Sequence, residues 1–213
     1  LTRGSDFILK KEDESINYSN VQLGTITTAN AFNPLKINLF YKDFNSIIIL
    51  DNRLAEIVKI DFNMLSEFRL VEFVSTGNDN TVWLFNQNTN ELELFDYINR
   101  KTRIRTLPVN ETILDLKSNY NYAWLLTEEH LYIYNYTGSL LQKLENSGFT
   151  SLQQSNQNVV LLKENELFYL SENSTDPRPI SLPELLINQF LVTNETLYIY
   201  ADEMLHQFQL KTN

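Results

Sequence analysis

Apolar residues along this chain come in short runs, each separated from a second run by a few polar residues. Residues 122–136, YAWLLTEEHLYIYNY, show the unit whole: an apolar run, the break TEEH, then a second apolar run. Runs this short, rich in Ile, Val, Phe, Tyr and Trp, fit strands and fit a helical period poorly. Aligned on the last apolar residue, the first runs end at Leu9, Leu50, Phe85, Leu126, Leu162 and Tyr200, so successive copies lie 35 to 41 residues apart. Their second runs are SINYS, EIVKIDF, ELELFDY, HLYIYNY, ELFYL and MLHQFQL. The breaks between them, such as NQNTNE and KENE, read as hairpin loops. Phe7, Ile48, Trp83, Trp124, Val160 and Tyr198 fall in one column. Because a strand alternates faces, one column is one face.

Each hairpin is flanked by further strand-like segments: KINLFYKD, VEFVST, ILDLKS, FTSLQQS and INQFLVT before it, and EFRLVEF, TRIRTLP, SLLQKLE and RPISLP after it. A period near 40 residues with four short strands per unit predicts an all-β fold, a single β-propeller of six blades of four antiparallel strands. The blade units are roughly 1–30, 31–70, 71–108, 109–147, 148–184 and 185–213. The first unit lacks its first strand and the last lacks its fourth, so the N-terminal segment is expected to complete the last blade. The count becomes seven if N-terminal sequence is missing. The five prolines fall in links or near outer strands, where a missing N–H is tolerated. Residues 171–186 are the most loop-like stretch and are expected to hold one short helical turn. With few glycines, Asn52, Asn88, Asn90 and Asn165 are expected to take the turn positions.

Composition narrows the function classes. The formal charge of −10 repels a polyanion, so no nucleic-acid partner is expected. Nothing approaches eighteen consecutive apolar residues, so no membrane span is expected. The absence of cysteine excludes disulfides, thiolate metal sites and a thiol nucleophile. The chain begins at Leu1 rather than Met, so removal of an N-terminal signal peptide is the expectation, and cloning or trimming would give the same appearance.

No constellation announces a reaction. His130 and His206, the only histidines, sit in second-run strands and read as half-exposed strand residues rather than zinc ligands. STGNDNT, residues 75–81, resembles a calcium loop only loosely and reads as a turn. KKEDE, residues 10–14, reads as a solvated turn. In NRKTRIR, Arg103 and Arg105 share one face of an outer strand, where charge protects an exposed edge. The sharper reading is a docking patch for an acidic partner or a lipid headgroup. Nucleophile elbows, phosphate loops and dinucleotide fingerprints are missing. Sequons at Asn110, Asn135, Asn173 and Asn194 are ordinary in an Asn-rich chain. No catalytic, cofactor-binding or metal residues are assigned, and no cofactor is expected.

Three stretches carry a resemblance: YSNVQLGTITTANAFNPLKINLFYKDFNSIIILDNRLAEIVKIDF (18–62), STGNDNTVWLFNQNTNELELFDY (75–97) and LDLKSNYNYAWLLTEEHLYIYNYTG (114–138). Their repeat wording resembles a group of exported proteins from Bacteroidota, similar to small periplasmic propellers. The resemblance implies an accessory component of the type 9 secretion apparatus, held near the periplasmic side of the outer membrane by larger envelope proteins. It carries no site residues over.

The expected function is therefore a non-catalytic interaction scaffold, a subunit of a hetero-complex, with binding residues on loops and edges of a rigid frame. Tyr, Trp and Arg are the usual anchors of an interface. Phe40, Tyr41, Tyr120, Tyr122, Tyr134 and Tyr136 are the aromatic candidates, beside Arg103 and Arg105. About half of the aromatics should lie in the core. The rival readings are a propeller hydrolase or lyase acting on a glycan, and a binder of a small ligand or cation in the central channel. An enzyme should bring carboxylates, or a His with a partner, together at one end.

Overall fold

The computed structural model describes residues 2–11, 14–193 and 196–210. Positions 12 and 13 of KKEDE and positions 194 and 195 of the Asn194 sequon lie outside the described residues. The described chain forms six small antiparallel sheets in sequence order. The first holds β1 (Thr2–Arg3), β2 (Asp6–Lys11) and β3 (Glu14–Ser19). The second holds β4 (Thr28–Asn30), β5 (Ile37–Tyr41), β6 (Ser46–Leu50) and β7 (Glu56–Asp61). The third holds β8 (Val71–Thr76), β9 (Thr81–Asn86), β10 (Glu91–Asp96) and β11 (Lys101–Arg105). The fourth holds β12 (Ile113–Ser118), β13 (Tyr122–Thr127), β14 (His130–Asn135) and β15 (Leu140–Glu145). The fifth holds β16 (Ser151–Ser155), β17 (Asn158–Lys163), β18 (Glu166–Leu170) and β19 (Arg178–Pro179). The sixth holds β20 (Gln189–Thr193), β21 (Thr196–Ala201) and β22 (Met204–Gln209). Six sheets of three or four strands make a six-bladed β-propeller, the fold class expected from the repeat. Among the described residues there is no α-helix, only 3-10 turns at Lys42–Phe44 and Phe62–Met64.

The strand assignments depart from the sequence reading at three places. In the second sheet the extra strand is β4, hydrogen-bonded to β5, while Glu67–Leu70 runs without strand partners and Val71 already opens the third sheet. β1 pairs with β2 inside the first sheet, and the sixth sheet has three strands in the order β20-β21-β22. Residues 171–186 form no helical turn; they hold β19, a two-residue edge strand in which Pro179 pairs opposite Phe168. The asparagine turns are real but displaced. Asn90 is left-handed as expected, Asn52, Asn88 and Asn165 are not, and Asn45, Asn156 and Asn173 take that role.

Two compact units make up the chain: Leu1–Asn110 with Tyr136–Ser139, and Glu111–Asn135 with Leu140–Asn213. In each, the apolar cores lie between consecutive sheets. In the first unit, Phe7 and Leu9 of β2 pack with Leu39, Tyr41, Ile48 and Leu50 of the second sheet. Phe40, Ile47, Ile49 and Phe62 pack with Val82, Leu84 and Phe95 of the third. In the second unit, Trp124 and Leu126 meet Val159 and Leu161, while Val160 and Leu167 meet Phe190, Leu197 and Ile199. Burial of each such side chain contributes roughly 1.5–3 kcal/mol. No sheet could hide its apolar faces alone, which is why the pattern repeats.

The core assignments correct one position of the aligned column. Phe7, Trp124 and Val160 each face the following sheet, but in the second sheet it is Ile47 and Ile49 that do so, and Ile48 faces back toward Phe7. All five residues of β6 are buried. A strand covered on both faces shows no alternation, so its register cannot be read from polarity.

Candidate functional site

The basic stretch folds into a polar network of the third sheet. β11 alternates exposed Lys101, Arg103 and Arg105 with half-buried Thr102 and Ile104. Arg103 donates from Nε and Nη2 to Asp96 Oδ2, at 3.0 and 2.6 Å. Arg105 pairs with Glu67 and stands 3.9 Å from both Glu91 and Glu93. Beneath them Arg69, 2% exposed, donates from Nε to Glu93 Oε2 at 3.0 Å, and Glu93 is fully buried. Asn86 and Thr102 complete the Glu93 carboxylate, and Arg69 spends its Nη atoms on Glu67 and Thr102. Burial pushes the Glu93 carboxyl up, but the bonds from Thr102, Asn86 and Arg69 outweigh it and hold its pKa below the ordinary value. Burial likewise raises Asp96, and the Asn99 bonds and Arg103 overcome it, leaving about 2. Arg103 and Arg105 are thus paired with carboxylates of their own unit while their side chains stay partly exposed.

The calcium-like loop is occupied from within. Lys36 Nζ donates to the Asp79 carbonyl at 2.6 Å and to Asn80 Oδ1 at 3.0 Å. Its ammonium sits against acceptors that a cation would need. Gly77 closes the loop under Thr81, leaving no room for a Cβ.

In the fourth sheet, His130, half-buried in its strand as expected, meets Glu111 and Lys143, which the sequence reading did not single out. Glu111, just ahead of β12, accepts from Thr127 Oγ1 at 2.5 Å and from the Tyr132 hydroxyl at 2.5 Å. His130 Nδ1 lies 3.0 Å from Glu111 Oε1 and Lys143 Nζ 3.6 Å from it. Glu129 completes a His and carboxylate group whose ligand atoms lie within 4.8 Å of one another. Burial raises the Glu111 pKa, but the Thr127, Tyr132 and His130 bonds and the imidazole charge win, holding it at about 2. A carboxylate already engaged by two hydroxyls, an imidazole and a neighbouring ammonium acts as a polar staple across β13, β14 and β15. The signal was faint: Glu111 lies nineteen residues from His130, and no local spacing links them.

A different arrangement opens between the fourth and fifth sheets of the second unit. Tyr122 at the start of β13, Ile133 of β14 and Leu141 of β15 line a cleft of roughly 230 Å³ with Gln157, Val159 and Glu172. Trp124 forms part of its lining while buried at 2% exposure, its ring 5.6 Å from that of Tyr122. The Tyr122 hydroxyl donates to Glu172 Oε1 at 2.9 Å. The Gln157 amide, turned with its nitrogen toward the carboxylate, donates to Glu172 as well. The sequence sets this up: Asn119 caps its own turn through Asn121 and Tyr122 backbone N–H groups, and its amide reaches the Asn156 carbonyl of the next sheet's turn.

The eight candidate residues therefore separate. Phe40, Tyr41 and Tyr134 are 1%, 0% and 4% exposed, so they are core residues rather than surface anchors; strands covered on both faces bury every ring they carry. The buried Tyr41 hydroxyl has no hydrogen-bond partner among the described residues, and burial followed by the Glu56 charge raises its pKa to about 12. Tyr120 and Tyr136 are exposed, at 42% and 53%. Tyr122 is half-buried in the cleft, a position for which its neighbour Glu172 gave no hint fifty residues away.

Comparisons with known proteins bear on the fold. No protein-family model matches the chain. No curated protein sequence matches it. Solved structures do. The virginiamycin B lyase of Staphylococcus aureus is similar at a TM-score of 0.68 and 10% identity, over 97% of this chain and 74% of that one. PorZ, a bacterial surface component of the type-IX secretion system of Porphyromonas gingivalis, is similar at 0.61 and 14% identity, over 97% of this chain. Hsv2 of Kluyveromyces lactis is similar at 0.62 and 9% identity, over 82% of this chain. The chain spans 56% of the Hsv2 structure and 31% of PorZ. Likeness at these identities is likeness of fold, and the fold is shared by a lyase and by a secretion component alike.

Proposed function

We propose that the chain is a non-catalytic protein-interaction module of a periplasmic, outer-membrane-associated assembly, an accessory of type 9 protein secretion. The observation that carries the reading is the Tyr122–Glu172 cleft: an apolar floor, an aromatic wall and a hydrogen-bonded carboxylate at a turn-rich end of a rigid sheet pair. Such a combination suits a side chain of a partner protein. The envelope setting is part of the proposal; what supports it is the resemblance to exported Bacteroidota propellers, with PorZ, itself a surface component of a secretion system, sharing the fold. The test is capture from native envelope by the tagged chain and by its Leu141→Glu variant, followed by identification of the retained proteins. Secretion components retained by the first and lost by the second are expected. A chain that retains nothing and cleaves a glycan ends the reading.

One observation favours the rival. His130 paired with Glu111 and flanked by Tyr132 is an arrangement a hydrolase or lyase could use for proton transfer. That reading requires a His130→Ala variant to lose turnover of a glycan while remaining folded. The interaction reading requires the same variant to retain its partners.

A further inference from the structure

The Tyr122–Glu172 cleft has a composition that selects its ligand. Among the described lining residues Glu172 is the one charged group, and Trp124, Ile133, Leu141, Val159 and Leu170 supply an apolar floor and wall. Glu172 is exposed at the rim and its oxygens receive Tyr122 and Gln157, so the carboxylate is held in one orientation with acceptor capacity left over. A purely apolar side chain would fill the floor and strip water from that carboxylate without replacing it. An anion meets a negative group in a chain of formal charge −10. A lone carboxylate is too few ligands for a metal ion.

We propose that the cleft receives an arginine side chain of a partner protein, its methylene stem along Trp124, Ile133 and Leu141 and its guanidinium on the Tyr122 ring and the Glu172 carboxylate. Arginine and lysine are the side chains whose long apolar stems end in a cation, and arginine alone has a planar head. Its planar head can stack on an aromatic face and bond a carboxylate with two parallel N–H groups. A lysine ammonium offers neither plane nor fork. The negative charge of the whole chain adds attraction at longer range, which salt weakens. This inference rests on the reading of the chain as an interaction module and names the chemistry of its partner.

The test uses the whole chain, titrated with the tripeptide acetyl-Gly-Arg-Gly-amide and followed by amide and indole NMR shifts. Saturable shifts at Tyr122, Trp124, Gln157 and Glu172 are expected. The citrulline tripeptide, matched in shape but neutral, should bind about tenfold more weakly or not at all. Glu172→Gln should reduce the arginine affinity by the same about tenfold, since it removes the charge and keeps the size. Equal binding of the citrulline peptide, equal binding of the matching lysine tripeptide acetyl-Gly-Lys-Gly-amide titrated in the same way, or absence of saturable shifts overturns the assignment. The two readings fail separately. Envelope partners that survive Glu172→Gln leave the module standing and remove the arginine site. Arginine binding by a chain that retains no envelope protein keeps the site and removes the module.

Discussion

The third sheet and the junction of the fourth and fifth sheets both place ionisable groups beside aromatic rings, yet they do opposite things with them. Around β11 three arginines are answered locally: Arg69 by Glu93 and Glu67, Arg103 by Asp96, Arg105 by Glu67. Arg69 even stacks on Phe95, its guanidinium carbon 5.2 Å from the ring centroid. At the Tyr122 cleft one carboxylate is oriented by neutral donors and, among the described residues, by no cation. The difference teaches that clustered charge on an outer strand is a poor sign of a binding surface, because the neighbouring strand and link can answer it. A single charge among apolar and neutral polar groups at a turn is a better one.

The comparison breaks most sharply at Arg69. If the third-sheet network is structural, Arg69→Met leaves the buried Glu93 with the Asn86 and Thr102 bonds and Arg105 at 3.9 Å but without its close cation, a loss of roughly 3 kcal/mol in denaturant unfolding, the low end for a broken buried pair. The arginine-peptide titration at the cleft should be unchanged. Adding Glu93→Leu to the same chain should recover most of the loss, since the pair replaced together is near neutral. A mild effect of Arg69→Met alone would mean that the network is loose and that its charges are available to others.

Gly77→Ala tests the neighbouring loop. The added Cβ would press on the Thr81 backbone carbonyl oxygen at 2.8 Å, and rigid backbone cannot yield as a flexible side chain does. A loss of about 1–3 kcal/mol in thermal unfolding is expected. Lys36 would lose its grip on Asp79 and Asn80 at the same time.

Acid titration touches the third and fourth sheets together. Asp96 falls from an ordinary 3.8 to about 2 and Glu111 from 4.5 to about 2 on folding. Because both are lowered, their contribution to stability is complete above the ordinary carboxylate range and is lost as pH falls through about 2. Unfolding midpoints should therefore drop between neutrality and that limit. Asp96→Asn should flatten part of that slope, and Glu111→Gln another part. Independent slopes would mark two separate staples.

The repeat was legible because blade packing imposes it on polarity at a fixed period. What failed was register within fully buried strands, where Ile48 and Ile47 are alike to the eye, and the identity of the weakest strands. Glu67–Leu70 looked like a strand from its apolar spacing, but its backbone serves instead to bring Glu67 and Arg69 to β11. The candidate aromatics divided by burial, which single-residue type does not encode: Tyr134 is inside and Tyr136, two positions on, is outside. The cleft itself was half visible. Tyr122 was named, while Glu172 and Gln157 arrive through the fold from a link that carried no motif.

The smallest effect sharpens the comparison most finely. Tyr122 has its pKa raised, first by the hydrogen bond to Glu172, then by burial and by the Glu172 charge. A raised pKa means that the phenol form is favoured on folding, so its small stabilisation is present at neutral pH and disappears only as pH climbs through the folded value. Tyr122→Phe should then cost at most about 1 kcal/mol, since the bond is exposed to water. The informative measurement is the titration of the tyrosine ring carbons by NMR. Glu172→Gln should bring the Tyr122 titration back toward the ordinary range, because it removes the anion that disfavours the phenolate, while Asp96→Asn in the third sheet should leave it unmoved. Should Tyr122 titrate identically with and without the Glu172 charge, the carboxylate is not held against the ring. The cleft would then be no more poised for a cation than the satisfied network around Arg69.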